Sequence, residues 1–284
     1  MGLASTAVVQ DWLKGVIRTA VILARGLGRR MRLADGTASL STQQATAADT
    51  GVKGMISVGR PFLDYVISAL ADAGVTDVVL VIGPEHDAIR QYFCEISPPT
   101  RVMVRFAVQA EPLGTADAVV AAANVVGDGA FLVLNADNFY PVAAYQALLK
   151  MRGAGVVAFD RDALVRDSNI NAERVRSFAI LDVAADGTLA AIVEKPGAAL
   201  DLDAASARWV GMNLWMVTPA LVDACRRVSL SSRGEFELPE AVALALTEGV
   251  RFEVVKMHAS VLDLSQRSDI AAVAARLANV EARP

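Results

Sequence analysis

Cysteine is scarce in this 284-residue chain: Cys94 and Cys225 lie far apart and form no Cys-x-x-Cys pair. Neither a zinc site nor a disulfide framework is therefore indicated, and two buried, reduced thiols are expected. An excess of basic charge is also missing. The 27 Lys and Arg against 31 Asp and Glu leave a net charge of -4, which argues against a general nucleic-acid binder, because binding along a phosphate backbone draws on many cationic contacts. No stretch reaches the roughly 20 apolar residues of a membrane span. Met1 to Lys14 lacks the basic segment and long apolar core of a signal peptide. A cytoplasmic protein with no membrane and no nucleic-acid partner is expected. Prolines number only 10, no internal repeat is found, and 54% of the residues are hydrophobic, so the chain has the means to bury a substantial core. Its length fits a single α/β unit.

Apolar, β-rich runs alternate with amphipathic helical ones, the pattern of a mostly parallel sheet covered on both faces. Strands are expected at Thr19–Leu23, Asp77–Ile82, Val102–Val108 and Phe131–Leu134. Helices are expected at Pro61–Ala73, with Pro61 in the first turn, and at Thr115–Ala123. Beyond Lys150 the texture changes. Ser177–Asp182, the turn Asp186-Gly187 and Leu189–Val193 read as an antiparallel hairpin, which makes the sheet mixed. A strand at Trp209–Val217, a helix at Leu238–Thr247, strands at Phe252–Lys256 and Ser260–Leu262 and a helix through Ala271–Leu277 follow. Leu33–Val52, rich in Ala, Thr, Ser, Gln and Asp, reads as a mobile loop.

Three constellations carry chemistry. The first is the loop Ala24-Arg25-Gly26-Leu27-Gly28-Arg29-Arg30-Met31-Arg32, placed directly after a buried strand. Glycines let the backbone approach a ligand, and exposed N–H groups beside guanidinium groups suit a polyphosphate. A bare Gly-x-Gly is more simply a strand-to-helix turn, but four arginines within eight residues call for an anionic partner. The Gly-Lys-Ser/Thr ending of a P-loop is missing, and Met31-Arg32 stands where a dinucleotide fingerprint needs its third glycine. A P-loop kinase and a nicotinamide oxidoreductase are both disfavoured. The second constellation is a pair of aspartates, Asp137 and Asp263, each following an apolar strand. Such carboxylates can meet over one crevice and hold Mg²⁺, although each alone is more often a turn or cap residue. The third is Val193-Glu194-Lys195-Pro196, a strand delivering an acid and a base on opposite faces before a proline stop.

Taken in order, these segments resemble the sugar-1-phosphate nucleotidyltransferases, the family of glucose-1-phosphate thymidylyltransferases and their uridylyl and guanylyl relatives. The likeness runs from Val21 to about Leu277. The family's opening L-A-A-G-x-G-T-R-M/L loop is matched by Leu23-Ala24-Arg25-Gly26-Leu27-Gly28-Arg29-Arg30-Met31. By this resemblance Leu23, Ala24, Gly26, Gly28 and Arg29 surround the nucleotide, and Arg30 grips the triphosphate. Lys53-Gly54-Met55 is similar to the K-P-M/L element whose lysine contacts phosphates. Gln109-Ala110-Glu111-Pro112-Leu113-Gly114-Thr115-Ala116 is similar to the base-recognition segment, which implies Gln109, Gly114 and Thr115 as nucleotide contacts. An amide offers a base edge both a donor and an acceptor. The resemblance assigns Asp137 and Asp263 to Mg²⁺, Glu194 to sugar hydroxyls and Lys195 to the sugar phosphate, and places Asn213 and Glu235 on the sugar side.

The implied fold is a Rossmann-like, mixed but mostly parallel α/β sheet flanked by helices. Residues 1–18 read as an N-terminal extension and 19–284 as one domain, with a nucleotide-binding half at 19–140 and a sugar-phosphate half at 141–284. The implied reaction joins a nucleoside triphosphate, UTP or dTTP favoured, to a sugar 1-phosphate, with Arg30, Lys53, Asp137, Lys195 and Asp263 as catalytic groups. Departures from the family pattern are Arg25 and Arg29 in the first loop, Ala136 before the aspartate, Gly211-Met212-Asn213 in place of N-T/A-G, and a long interval between Arg30 and Lys53. Arg25, Arg29 and Ala136 keep alive a rival reading, a nucleotide-sugar sensor of the same fold without turnover. Both readings leave a homo-oligomer open.

Overall fold

The computed structural model describes residues 17–33, 38, 40–199, 201, 204 and 207–284. The stretch expected as an N-terminal extension lies almost entirely outside the described residues. Strands β1 (Thr19–Leu23), β2 (Asp77–Ile82), β3 (Met103–Val108) and β4 (Phe131–Asn135) are parallel neighbours in the order β4-β1-β2-β3. Their runs are apolar on both sides because both faces are covered. Ala20, Ile22, Leu80 and Leu134 point into one core, and Val21, Val79 and Val133 into the other. The sheet continues through β6 (Ala154–Asp160), β9 (Trp209–Val217) and β10 (Phe252–Met257). Strand β9 runs antiparallel between β4 and β6, and β10 is parallel to β6. The expected hairpin is present as β7 (Ala179–Val183) and β8 (Leu189–Val193), with β7 also paired to β9. A separate two-stranded ribbon joins β5 (Asn138–Phe139) to β11 (Leu262–Asp263).

Helices α3 (Phe62–Ala73), α6 (Val142–Leu149) and α11 (Asp269–Leu277) cover the first core. Helices α5 (Thr115–Val126), α9 (Pro219–Arg227) and α10 (Leu238–Thr247) cover the second, where Trp215 is fully buried, and α4 (Asp87–Gln91), α7 (Arg161–Asp167) and α8 (Ala172–Val175) are short. Among the described residues no helix is long and apolar enough to cross a membrane.

Four expectations need correction. Leu33–Val52 is not a loop throughout: Thr42–Thr50 forms helix α2, whose start is satisfied by a capping box in which Ser41 Oγ accepts from the Gln44 N–H and the Gln44 side chain accepts from the Ser41 N–H. Its weak amphipathic pattern hid it. Pro61 is not in the first turn of α3 but precedes it as the capping residue. Cys94 is exposed, and only Cys225 is buried. Finally, Glu194 and Lys195 are not opposite faces of a strand, since β8 ends at Val193 and Lys195 has a left-handed φ of 44°.

Candidate active site

Strands β1, β2 and β4 end level with one another, with Leu23 opposite both Val81 and Asn135. The loops that leave them surround a cleft of ≈ 360 Å³ beyond their carboxyl ends, the place where open α/β sheets bind ligands. Of the sequence-proposed residues, Leu23, Ala24, Gly26, Gly28, Arg29 and Arg30 line it from the first loop. Lys53, Gln109, Gly114, Thr115 and Asp137 line it from the neighbouring loops, and Lys195 and Glu235 from the second half of the chain. Glu194, Asn213 and Asp263 are not in the lining. Asn213 sits within β9 with φ 57°.

The first loop turns at Gly28, whose left-handed φ of 57° caps the short helix α1 (Arg29–Arg32). A Cβ at Gly28 would overlap the backbone of Gly51, just past α2. Gly28→Ala is therefore expected to lower stability by about 2 kcal/mol or more. Urea denaturation checks this, and an unchanged midpoint would show that the α1–α2 contact is dispensable.

Gln109 is 4% exposed. Its Nε2 donates to the Gly114 carbonyl at 2.9 Å and to Asp117 Oδ2 at 2.8 Å. Both partners are acceptors only, so the amide orientation follows from chemistry. Gly114 has φ 117°. On both sides of it the chain is tied to the start of α10 and the residues before it: Phe236 N–H donates to Leu113 O at 2.7 Å, Ala116 N–H to Phe236 O at 2.9 Å and Leu238 N–H to Thr115 Oγ1 at 2.8 Å. These bonds bring Glu235 to the cleft.

Asp137 and Asp263 approach each other because β5 and β11 pair, with Asp263 opposite Asn138. Lys53 Nζ lies 2.6 Å from Asp137 Oδ2, both side chains being mostly buried. Asp263 is 2% exposed. Its Oδ1 accepts from Ser265 Oγ at 2.8 Å and Asn138 Nδ2 at 3.2 Å, while Arg174 Nη2 stands 2.6 Å from Oδ2. Burial and then the Asp137 charge push the Asp263 carboxyl up to about 6, against the opposing pull of Arg174. Arg30 Nη2 reaches Ser265 Oγ at 3.4 Å, which links the arginine loop to this carboxylate.

Two carboxylates near enough to repel one another, one of them buried with Oδ2 lacking a directed hydrogen bond, fit a hard divalent ion that takes its remaining ligands from phosphates and water. Among the described residues no group of three or more His, Cys, Asp or Glu could hold a metal, so substrate would have to complete the shell.

Sequence reasoning missed Arg174 and Asn169. Arg174 forks onto Asp269 at 2.6 and 2.8 Å as well as meeting Asp263. Asn169 exchanges two hydrogen bonds with the Asp263 backbone, at 2.7 and 3.0 Å. Neither sits in a motif, and only the packing of 169–174 against β11 identifies them. On the other wall Lys195 Nζ pairs with Glu194 Oε1 at 2.7 Å, and Arg233 spans Glu194 and Glu237. Burial pushes the Glu237 carboxyl up, but Arg233 and Ser231 together hold it below its ordinary range.

The strand order and the arginine-bearing loop over the strand ends define a Rossmann-like α/β protein with a cleft lined by Arg25, Arg29, Arg30 and Lys53. The chain belongs to the nucleotidyl transferase family, whose profile matches residues 19–278. The low-salt glycan biosynthesis nucleotidyltransferase Agl11 of Haloferax volcanii is 26% identical over 234 residues, a match covering 81% of this chain and 57% of that protein. The UTP–glucose-1-phosphate uridylyltransferase AglF of the same organism is 25% identical over 252 residues, covering 88% of this chain and 92% of that one. A solved UDP-glucose pyrophosphorylase complexed with UDP-glucose matches with a TM-score of 0.72 at 14% identity, over 93% of this chain and 100% of the other. At that identity the likeness is one of fold.

Proposed function

We propose that this protein transfers a nucleotidyl group from a nucleoside triphosphate to a sugar 1-phosphate, releasing pyrophosphate, and that it needs Mg²⁺. The observation that carries the reading is convergence: the Gly26–Arg30 loop, the fixed Gln109 amide and the Lys53–Asp137 pair all face one cleft. Such a transfer requires little covalent help, and positioning with charge neutralisation supplies the rate.

In this reading residues 19–140 hold the nucleotide and 141–284 present the sugar phosphate. Arg29, Arg30 and Lys53 take the phosphates, and Lys195 orients the attacking sugar phosphate with Glu194, Asn213 and Glu235 on the sugar side. Asp137 and Asp263 would hold Mg²⁺, which when bound neutralises charge on the reacting phosphates. A pyrimidine imide is favoured by the state of Gln109. Both of its amide protons are committed to Gly114 and Asp117, leaving Oε1 as an acceptor that matches the N3–H of uracil or thymine.

The test is pyrophosphate release with Mg²⁺ across five nucleoside triphosphates and a panel of sugar 1-phosphates. Turnover with UTP or dTTP, dependent on one sugar phosphate, is the expected result. Binding of a nucleotide-sugar with no turnover for any pair would favour the sensor reading instead.

A further inference from the structure

Arg25 occupies a position where the resembled family carries a small residue. Its side chain is buried, only 7% exposed, and it lines the cleft between Ala24 and Gly26. Among the described residues its one ionic partner is Glu85, which is half-exposed and stands at 3.3–3.4 Å from Nη2, longer than a strong charge-assisted bond. Nε and Nη1 are buried and have no hydrogen-bond partner among the described residues. A buried guanidinium with unmet donors is costly, and a bound acceptor recovers that cost.

The surroundings are built for this side chain. Gly83, at the end of β2, leaves the room that it fills, since a Cβ there would overlap Arg25 Nε and the Glu85 carboxylate. Gly83 N–H donates to His86 Nδ1 at 3.2 Å, which closes the loop under Arg25. Gln109 N–H is bonded to Ile82 O at 2.9 Å, one residue before Gly83. Arg25 and Gln109 therefore both adjoin the end of β2 and line the cleft there, whereas Arg29 and Arg30 belong to α1. The Glu85 carboxylate beside Arg25 would repel polyphosphate oxygens but tolerates a neutral carbonyl.

We propose that Arg25 is a base-reading residue: its guanidinium donates to a ring carbonyl of the nucleobase while Gln109 Oε1 accepts from the adjacent ring N–H. The ligand class is a base with an imide-type edge. The inference rests on the cleft being a nucleotide site, but it does not require turnover.

Calorimetric titration of the whole chain with tripolyphosphate and with the five nucleoside triphosphates tests it, without any sugar phosphate. In the wild type the best triphosphate exceeds tripolyphosphate in affinity. In Arg25→Ala that margin shrinks by about tenfold or more while tripolyphosphate affinity holds. Arg25→Lys, which keeps the charge and stem but not the fork, shows the same loss should the alanine variant fail to fold. An unchanged margin, a parallel fall in tripolyphosphate affinity, or a wild type that binds tripolyphosphate as tightly as every nucleoside triphosphate overturns the proposal. Failure of the pyrophosphate-release assay with this result intact would sink the reaction and leave the base contact standing.

Discussion

Asp137→Ala yields a folded protein whose pyrophosphate release is lower by about 10²-fold or more. Asp137 stands just past the end of β4 and lines the cleft, with the buried carboxylate of Asp263 near enough to feel its charge. The structural cost is smaller because, among the described residues, the Asp137 carboxylate pairs with Lys53 alone, and its backbone bond to the Leu264 N–H survives the substitution. Leaving that lysine unpaired costs about 1–3 kcal/mol, which a domain with two extensive cores survives. Paired measurements of turnover and thermal unfolding separate the two effects. Near-normal turnover in this variant would remove Asp137 from the reaction and the metal assignment with it.

Arg174→Ala has its largest effect on stability. The guanidinium is 11% exposed and lies 2.6 Å from carboxylate oxygens of both Asp263 and Asp269. Asp269 Oδ2 also accepts from the Ser265 and Gln266 N–H groups at 2.9 Å, which ties the start of α11 to the Asp263 strand. Deleting the cation leaves two buried carboxylates facing each other, a loss of about 3–5 kcal/mol. Arg174→Lys recovers only part of it, because an ammonium cannot fork across both partners. Chemical denaturation measures the change. A loss under about 1 kcal/mol would mean that the two aspartates are neutralised in another way.

Most of the architecture was legible in the sequence where periodicity is strong. The continuous apolar runs of β1, β2 and β4 announce strands covered on both faces, and Trp209–Val217 and Leu238–Thr247 form the elements expected of them. Helix α2 was not legible, since its stability comes from the Ser41–Gln44 capping box and from contacts near Gly28 and Gly51 rather than from an apolar stripe. Glu194 and Lys195 were misread because a strand pattern carries no sign of where the ladder ends. The left-handed turn at Lys195 turns the acid and the base into an ion pair.

The sequence by itself determined the chemistry that can be brought to the cleft: an arginine-rich glycine loop, an amide at position 109, and aspartates at 137 and 263 after short apolar runs. Those are local signals, written in residue type and spacing. Tertiary structure alone decided which groups meet. Arg174 finds Asp263 across 89 positions of chain only because residues 169–174 pack against β11, where Asn169 bonds the Asp263 backbone. Arg25 is buried over Gly83 only because β1 and β2 end level. Pairing of charges depends on distance and on the exclusion of water, and neither is encoded within a motif.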